Sequence, residues 1–325
     1  MRHVSLPVSL RANPSESAPL LVSGTVAYDD ILTPTDSGEH LLGGSASYAA
    51  LAASHFTTVR IASIVGADFA AADRERFLAR EIDTAALQTD TSGDTFFWRG
   101  RYHDNFNTRD TLETRLGVNA HPRAPLPAGH ETTPYVLLAN DAPAIQLDLL
   151  AQMRSPRLVA ADSMNLWIET DLARLRHVIS KIHLFIVNDS EAAQLTGERN
   201  PVRAGHALLS FGARAAIVKK GEHGTLLFHP DGLFALPAFP VTELRDSTGA
   251  GDSFAGALAA SLAVMQREDF DAIKTAMLYA TATASLSIEA FSCNKLEAAS
   301  TTAEIEARSA FLREMTRLPS VRSSF

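Results

Sequence analysis

Two acidic residues and two glycines within one seven-residue stretch have the composition of a phosphate site. The stretch reads DSTGAGD over residues 246–252 and runs into an apolar, alanine-rich segment that predicts a helix. Glycines on either side of Ala250 allow a tight turn that brings successive N–H groups together, at a helix end that attracts anions. Asp252 could accept a proton from a substrate hydroxyl there, although an aspartate at a helix start is also an ordinary N-cap. The combination favours phosphoryl transfer.

The elements that must position this turn alternate along most of the chain. Short apolar runs separated by helical segments predict right-handed βαβ units and a mostly parallel sheet. Ligands of such sheets bind beyond the carboxyl ends of the strands. Predicted strands of this type cover residues 20–26, 59–66, 135–139, 157–161, 182–187 and 215–219.

Composition limits the class of protein. The chain has 325 residues, of which 46% are hydrophobic and 20% charged, so it can bury a large core. A net charge of −8 argues against a nucleic-acid partner. Cys293 is the single cysteine, which excludes an internal disulfide and fits a reducing, cytoplasmic setting. Residues 1–19 read as a loose tail without a signal-peptide core, and no apolar run is long enough for a membrane span, so neither export nor a membrane partner is expected.

Four motifs together resemble the PfkB/ribokinase family of carbohydrate and nucleoside kinases. They are the 246–252 stretch, the Gly43–Gly44 pair before a helix, Asn188-x-x-Glu191, and Gly221-x-x-Gly224. The resemblance extends from about residue 20 to residue 311. It implies an α/β, ribokinase-like fold with a central, mostly parallel sheet flanked by helices on both faces and a small β-sheet lid. The predicted division assigns 20–30, 43–92 and 119–325 to the α/β domain, and 31–42 and 93–118 to the lid.

The resemblance also implies roles for the residues of the turn and of the substrate site. Asp252 would be the catalytic base, and the N–H groups of Gly249, Ala250 and Gly251 would form an anion hole. The family's substrate-gripping aspartate matches Asp29, with the neighbouring Asp30 left open. The substrate-binding residues implied with Asp29 are Gly43, Gly44 and Tyr48. Tyr48 stands where the family commonly has asparagine, so the identity of the substrate stays open.

Nucleotide and metal contacts follow from the same resemblance. It implies ATP, with Mg²⁺ held through water by Glu191, and a monovalent cation such as K⁺ near Asp246 and the 290–292 loop. Asp189 or Ser190 would also serve as the N-cap of the helix at this point, and capping is compatible with metal positioning. The residues assigned to the nucleotide are Asn188, Lys219, Gly221, Gly224 and Asn294.

The aromatic-rich segment over residues 95–118 predicts the strands of the lid, with residues 112–118 as the returning strand. Arg101 and Asn107 are its candidate substrate contacts. The aromatic residues could equally form a hydrophobic face packed on the main domain, or the contact of a homodimer formed through the lid.

The function expected from all of this is transfer of the ATP γ-phosphoryl group to an alcohol of a small sugar-type substrate. The alternatives are a nucleoside kinase on the same scaffold and a non-catalytic ligand sensor, which would have no need for Asp252. No Walker-type loop is present, and no Gly-x-Gly-x-x-Gly follows the first strand, which disfavours P-loop NTPases and NAD-dependent dehydrogenases.

Overall fold

The computed structural model describes residues 17–104, 106 and 108–318. Two sequence predictions fall wholly or mostly outside this range. Asn107 lies outside the described residues, and so does the predicted tail, apart from residues 17–19.

Strands and helices alternate over the described part of the chain. The strands are β1 (Leu20–Ser23), β2 (Ala27–Leu32), β3 (Ser37–Gly43), β4 (Val59–Val65), β5 (Asp83–Thr89), β6 (Phe96–Tyr102), β7 (Arg109–Arg115), β8 (Tyr135–Leu138), β9 (Leu158–Asp162), β10 (Leu184–Asn188), β11 (Ala215–Lys219), β12 (Thr225–His229) and β13 (Gly232–Leu236). The helices are α1 (Ser45–Ala53), α2 (Ala71–Leu78), α3 (Pro143–Gln152), α4 (Asn165–Thr170), α5 (Leu172–Ile179), α6 (Asp189–Thr196), α7 (Pro201–Leu209), α8 (Ala250–Met265), α9 (Phe270–Ser287), α10 (Asn294–Glu297) and α11 (Thr301–Met315).

Nine strands form the large sheet, in the order β13-β12-β11-β10-β9-β8-β1-β4-β5. The strands from β11 to β5 pair in parallel, and β12 and β13 add an antiparallel hairpin at one edge. Alternate residues of the strands face opposite layers: Leu20 and Val22 pack with α1, α8 and α9, whereas Leu21 packs with α3, α5 and α7. Helices therefore cover both faces, as predicted, which is why the central strands are apolar throughout.

The smaller sheet has four strands in the order β3-β2-β6-β7. Strand β2 pairs in parallel with β6 and antiparallel with β3, with a register shift between Asp29 and Ile31. Strand β2 begins at Ala27. Asp29, which the predicted division assigns to the α/β domain with the rest of residues 20–30, is therefore a residue of the smaller sheet. The division of the chain into a domain and a lid stays a prediction.

Two predicted elements differ from the structure. The returning strand is Arg109–Arg115 rather than residues 112–118, because Gly117 takes a left-handed φ of 51° and Val118 is buried in the following 3₁₀ turn. The sequence over residues 166–180 also predicts a single helix, but the structure has two, α4 and α5, which meet at Asp171, with φ −147° and ψ 47°. In the part of the chain that the structure describes, no helix has both the length and the apolar character that crossing a membrane requires.

Candidate active site

Gly249 forms the left-handed turn that starts helix α8. Its φ is 71°, and its carbonyl accepts the N–H of Ser253 at 2.8 Å. A β-carbon at this position would lie 2.2 Å from the ring of Tyr48, so both the conformation and the space require glycine. The Ala250 N–H donates to the Ser247 carbonyl at 3.3 Å and closes the turn. The turn therefore presents the start of a 16-residue helix at the carboxyl edge of the sheet.

Asp252 lies in the first turn of α8, among other charged groups. Burial and then the Asp162 carboxylate raise the pKa of Asp252 to about 6, against the opposite effects of Lys219 and Arg109. At neutral pH this carboxyl group is mostly ionised, yet it is more basic than an ordinary aspartate. This is the condition that suits a general base.

Lys219 connects the end of β11 with helix α8. Its Nζ donates to Oδ2 of Asp162 at 2.9 Å, and the two side chains are 16% and 5% exposed. The same Nζ lies 2.8 Å from the point that a β-carbon on Gly251 would occupy. The structure thus brings the predicted nucleotide residue Lys219 to the predicted anion hole.

Asp162, the partner of Lys219, is a site residue that sequence reasoning missed. It is the last residue of β9, whereas the predicted strand stopped at Ala161. Its position at the carboxyl end of a buried strand was the available signal, because ligands of such sheets bind there.

Asn188 and Glu191 form the start of α6. The Asn188 side chain accepts the N–H of Glu191 at 2.8 Å, and the Glu191 carboxylate accepts the N–H of Asn188 at 2.9 Å, which is a complete capping box. The N-cap is therefore Asn188 and not Asp189 or Ser190. Gly197 ends the helix with a left-handed φ of 75°.

Glu191 has the features required to position Mg²⁺. It is 7% exposed, and among the described residues only one of its two carboxylate oxygens accepts a hydrogen bond, in the capping box. Burial, together with the Asp162 charge, raises the pKa of Glu191 to about 7, while Lys219 lowers it. A buried carboxylate with a free oxygen next to a phosphate site fits Mg²⁺ held through water.

On the substrate side, Asp29 and Asp30 point in opposite directions along β2. Asp30 accepts two hydrogen bonds from Arg99, the shorter at 2.6 Å, and one from the N–H of His40. Asp29 is 4% exposed and faces the interior, where burial and then the charges of Asp246 and Asp252 raise its pKa to about 8. Of the two neighbours, Asp29 is the one on the same side as Asp252.

The glycine pair makes room for Asp29. A β-carbon on Gly43 would lie 2.0 Å from Oδ2 of Asp29, and one on Gly44, whose φ is 89°, would lie 2.5 Å from the Thr25 carbonyl oxygen. The Gly44 N–H donates to the Asp29 carboxylate, which lowers the pKa of Asp29 against the larger effect of burial. Gly43 and Gly44 thus hold the carboxylate at the start of α1.

Tyr48 is a core residue beneath the turn. It is 1% exposed, its ring packs on Gly249, and its buried hydroxyl has no hydrogen-bond partner among the described residues. Burial, followed by the nearby Cys293 and Asp246, raises its pKa well above the ordinary value. The structure places its ring against the glycine of the turn.

Asp246 has the donor atoms that a monovalent cation needs. Its Oδ1 accepts the N–H of Thr248 at 2.8 Å, whereas Oδ2 is buried and, within the part of the chain that the structure describes, has no hydrogen-bond partner. The backbone of Ser292 donates to the same carboxylate, which brings the 290–292 loop next to it. These residues fit the predicted cation position.

Other predicted residues lie farther from this cluster. Gly221 and Gly224 frame a 3₁₀ turn directly after Lys219, closed by the Lys220 N–H on the Gly224 carbonyl at 2.8 Å. Arg101 is exposed on β6 and lines a cavity of about 650 Å³ that Tyr102 also lines. Asn294 accepts a hydrogen bond from Arg76 of α2, the helix that packs on β5, so the structure does not bring it to the turn after Lys219.

The smaller sheet contacts the catalytic turn through residues that the sequence did not single out. The Thr248 hydroxyl donates to the Tyr102 hydroxyl at 2.9 Å, and the Ser247 hydroxyl donates to the Phe106 carbonyl at 2.7 Å. Arg109 pairs with Tyr102 in the sheet, and its charge lowers the pKa of Asp252. One end of the smaller sheet therefore lies over the turn.

Comparison with known proteins agrees with this geometry. Residues 145–299 match the model of the pfkB family carbohydrate kinases. The chain is 28% identical over 245 residues to a cytidine kinase of Thermococcus kodakarensis, a match that covers 73% of this chain and 86% of that protein.

Solved structures share the fold. A ribokinase from Cryptococcus neoformans in complex with ADP superposes with a TM-score of 0.73 at 21% identity, covering 90% of this chain and all of the other. A nucleoside kinase from Burkholderia thailandensis in complex with inosine gives 0.72 at 22% identity, covering 90% and 98%. The resemblance indicated by the motifs is confirmed: residues 145–299 match the pfkB family model, and the described chain has a ribokinase-like fold.

Proposed function

We propose that this chain is an ATP-dependent phosphotransferase that transfers the γ-phosphoryl group to an alcohol of a small sugar-type substrate. One observation carries the proposal: the Asp252 carboxylate, the Lys219 ammonium and the start of helix α8 lie together at the carboxyl edge of the sheet. A base, a cation and a group of backbone donors at one point are the parts that phosphoryl transfer needs.

The chain's own residues supply each step at the reacting hydroxyl. Asp29, held by the Gly43–Gly44 turn, binds the substrate's hydroxyl groups. Asp252 accepts the proton as the substrate oxygen bonds to the γ-phosphorus and the bond from that phosphorus to the β–γ bridging oxygen breaks, which releases ADP. The N–H groups of Gly249 and Gly251, together with Lys219, stabilise the charge on the transferred group, whereas the Ala250 N–H closes the turn on the Ser247 carbonyl.

The nucleotide would lie along the turn after β11. Gly221 and Gly224 allow a close approach of backbone to ligand, and Asn188 with Glu191 would position Mg²⁺ through water. Mg²⁺, when bound, neutralises phosphate charge. A monovalent cation at Asp246 would offset the buried carboxylates below the turn.

A nucleoside is the second candidate substrate. The cytidine kinase relative, which aligns over 86% of its own length, supports it. The reaction at the hydroxyl is the same in both cases, because a nucleoside presents a ribose alcohol. The two candidate substrates differ only in the part of the molecule, away from the reacting hydroxyl, that the site must accommodate.

The test is release of ADP from ATP and Mg²⁺ across a panel of free sugars, sugar phosphates and nucleosides, with Asp252→Asn beside the wild type. We expect turnover with one class of alcohol and a kcat that is lower by roughly a hundredfold or more in Asp252→Asn. Turnover only with nucleosides would replace the sugar assignment by the second candidate. ATP binding without turnover on any alcohol would contradict the proposal and favour a ligand sensor.

A further inference from the structure

Asp162 and Lys219 form an ion pair across an intervening strand. Both β9 and β11 pair with β10, where Asp162 lies opposite Ile186 and Lys219 opposite Asn188. The two backbones are therefore separated by two strand spacings, roughly 9–10 Å. The 2.9 Å contact between Nζ and Oδ2 means that the lysine side chain extends across the end of β10.

Because the Lys219 side chain extends in this direction, its ammonium group lies beside the start of helix α8. Nζ comes to 2.8 Å from the point where a β-carbon on Gly251 would lie, in the first turn of α8. Asp162 and Lys219 are 5% and 16% exposed, so the pair is largely shielded from water. A shielded ion pair keeps its geometry better than one on the surface.

We propose that Asp162 is a positioning residue that holds the Lys219 ammonium beside Gly251, where it faces the phosphoryl group in transfer. This inference rests on the proposed function of the same site. In this proposal Asp162 contacts neither the substrate nor Asp252, and it acts only by holding Lys219.

The need for Asp162 follows from the other acids around Lys219. Glu191 and Asp252 also act on this ammonium, and without Asp162 the lysine would pair with one of them. Pairing with Asp252 would occupy the base, and pairing with Glu191 would draw the cation away from Gly251. Burial alone would lower the pKa of Lys219, but Asp162 and Glu191 outweigh it and hold that pKa above the ordinary value.

Kinetics of four variants test the proposal: Asp162→Ala, Asp162→Asn, Lys219→Met and the double variant Asp162→Ala/Lys219→Met. We expect Asp162→Ala to lower kcat at least ~10-fold with little change in the KM for ATP, because a misplaced group costs most in the transition state. Asp162→Asn should recover part of the loss, since its amide oxygen still accepts the lysine hydrogen bond. The double variant should be no slower than Lys219→Met.

Three kinetic results would overturn the proposal. They are a wild-type kcat in Asp162→Ala, additive losses in the double variant, and a shift of the Mg²⁺ requirement alone, which would make Asp162 a metal residue. If Asp162→Ala does not fold, the kcat of Asp162→Asn is compared with that of Lys219→Met instead.

Chemical labelling gives a readout that needs no turnover. The rate at which an N-hydroxysuccinimide ester acylates Lys219, followed by mass spectrometry, should rise several-fold in Asp162→Ala relative to the exposed Lys181 in the same sample. Asp162 exerts the largest of the charge effects that raise the pKa of Lys219, and a new pairing with Glu191 or Asp252 replaces it only in part. Added ATP should slow the labelling of Lys219 in the wild type. An unchanged ratio of Lys219 to Lys181 would refute the pairing, and this holds even if the wild type phosphorylates none of the alcohols tested.

Discussion

The ammonium of Lys219 fills the space beside Gly251 that a side chain would otherwise occupy, at 2.8 Å from the β-carbon position. The second glycine of the 246–252 stretch is therefore required for the approach of a cation as well as for the turn. The positive charge and the helix start act on the same point, which is where charge builds up during phosphoryl transfer.

Gly251→Ala should disable the enzyme without unfolding it. The added methyl group displaces the Lys219 ammonium, so we expect kcat to fall at least ~10-fold, on the scale of losing one stabilising group in the transition state. The midpoint of thermal unfolding should change by only a few degrees, because alanine is favoured in a helix. Gly93→Ala, where the new methyl would meet only Val118 at 3.3 Å, is the matched control. Equal activity of the two variants would contradict the role of this space.

The pH dependence of kcat/KM should show an acid limb near pH 6. Burial raises the pKa of Asp252 to about 6, and the base works only when ionised, so activity is lost as the pH falls through that value. The measurement is kcat/KM from pH 5 to 9 at saturating Mg²⁺. The residual activity of Asp252→Asn should lack this limb, and a limb that persists there would assign it to another group.

Asp29→Ala and Asp30→Ala form a matched pair of neighbouring variants. Asp29→Ala removes the inward carboxyl group and should raise the KM for the alcohol substrate roughly 10-fold or more, the cost of losing a hydrogen bond to an ionisable group. Asp30→Ala breaks the partly exposed pair with Arg99 and the hydrogen bond from the His40 N–H, so it should cost about 2 kcal/mol of stability and leave that KM unchanged. The reverse pattern in steady-state kinetics would make Asp30 the substrate residue.

Asp29→Asn should stabilise the protein increasingly as the pH rises. Burial raises the pKa of Asp29 to about 8 from 3.8, so between these values the unfolded chain loses a proton that the folded protein keeps. The stability that this carboxyl group contributes is fully present below pH 4 and declines toward pH 8, whereas asparagine does not titrate. Urea unfolding at pH 5, 6.5 and 8 should therefore show a growing difference from the wild type. A difference in the free energy of unfolding that stays constant with pH would contradict the raised pKa of Asp29. The same trend in the exposed control Asp148→Asn would also contradict it.

Residues whose roles depend on local sequence could be predicted. The turn at 246–252, the glycine pair at 43–44 and the helix start at 188–191 each place their functional groups within a few residues. The N-cap was misassigned by one residue because Asn188, Asp189 and Ser190 are all good capping residues, and only the reciprocal bond with Glu191 selects among them.

Residues whose positions in the site come from packing between distant segments could not be predicted from the sequence. Asp162 meets Lys219 across β10, and Tyr102 meets Thr248 across 146 residues of chain. Tyr48 was expected to contact the substrate because of its place in the motif. Its burial beneath Gly249 depends on how α1 packs against α8, which no spacing in the sequence reveals.

Two hydrogen bonds join Ser247 and Thr248 to the smaller sheet and its β6–β7 loop. The conformation of the 246–252 turn therefore depends on whether this part of the molecule covers the site. Movement of Tyr102 and Phe106 away from the turn would remove these two supports from the residues just before Gly249. The turn would then be least well formed when water has free access to it and best formed when the sheet closes over a substrate. In the proposed reaction such an arrangement would spare ATP, because the phosphoryl group would be stabilised for transfer only when an alcohol, and not bulk water, is there to accept it.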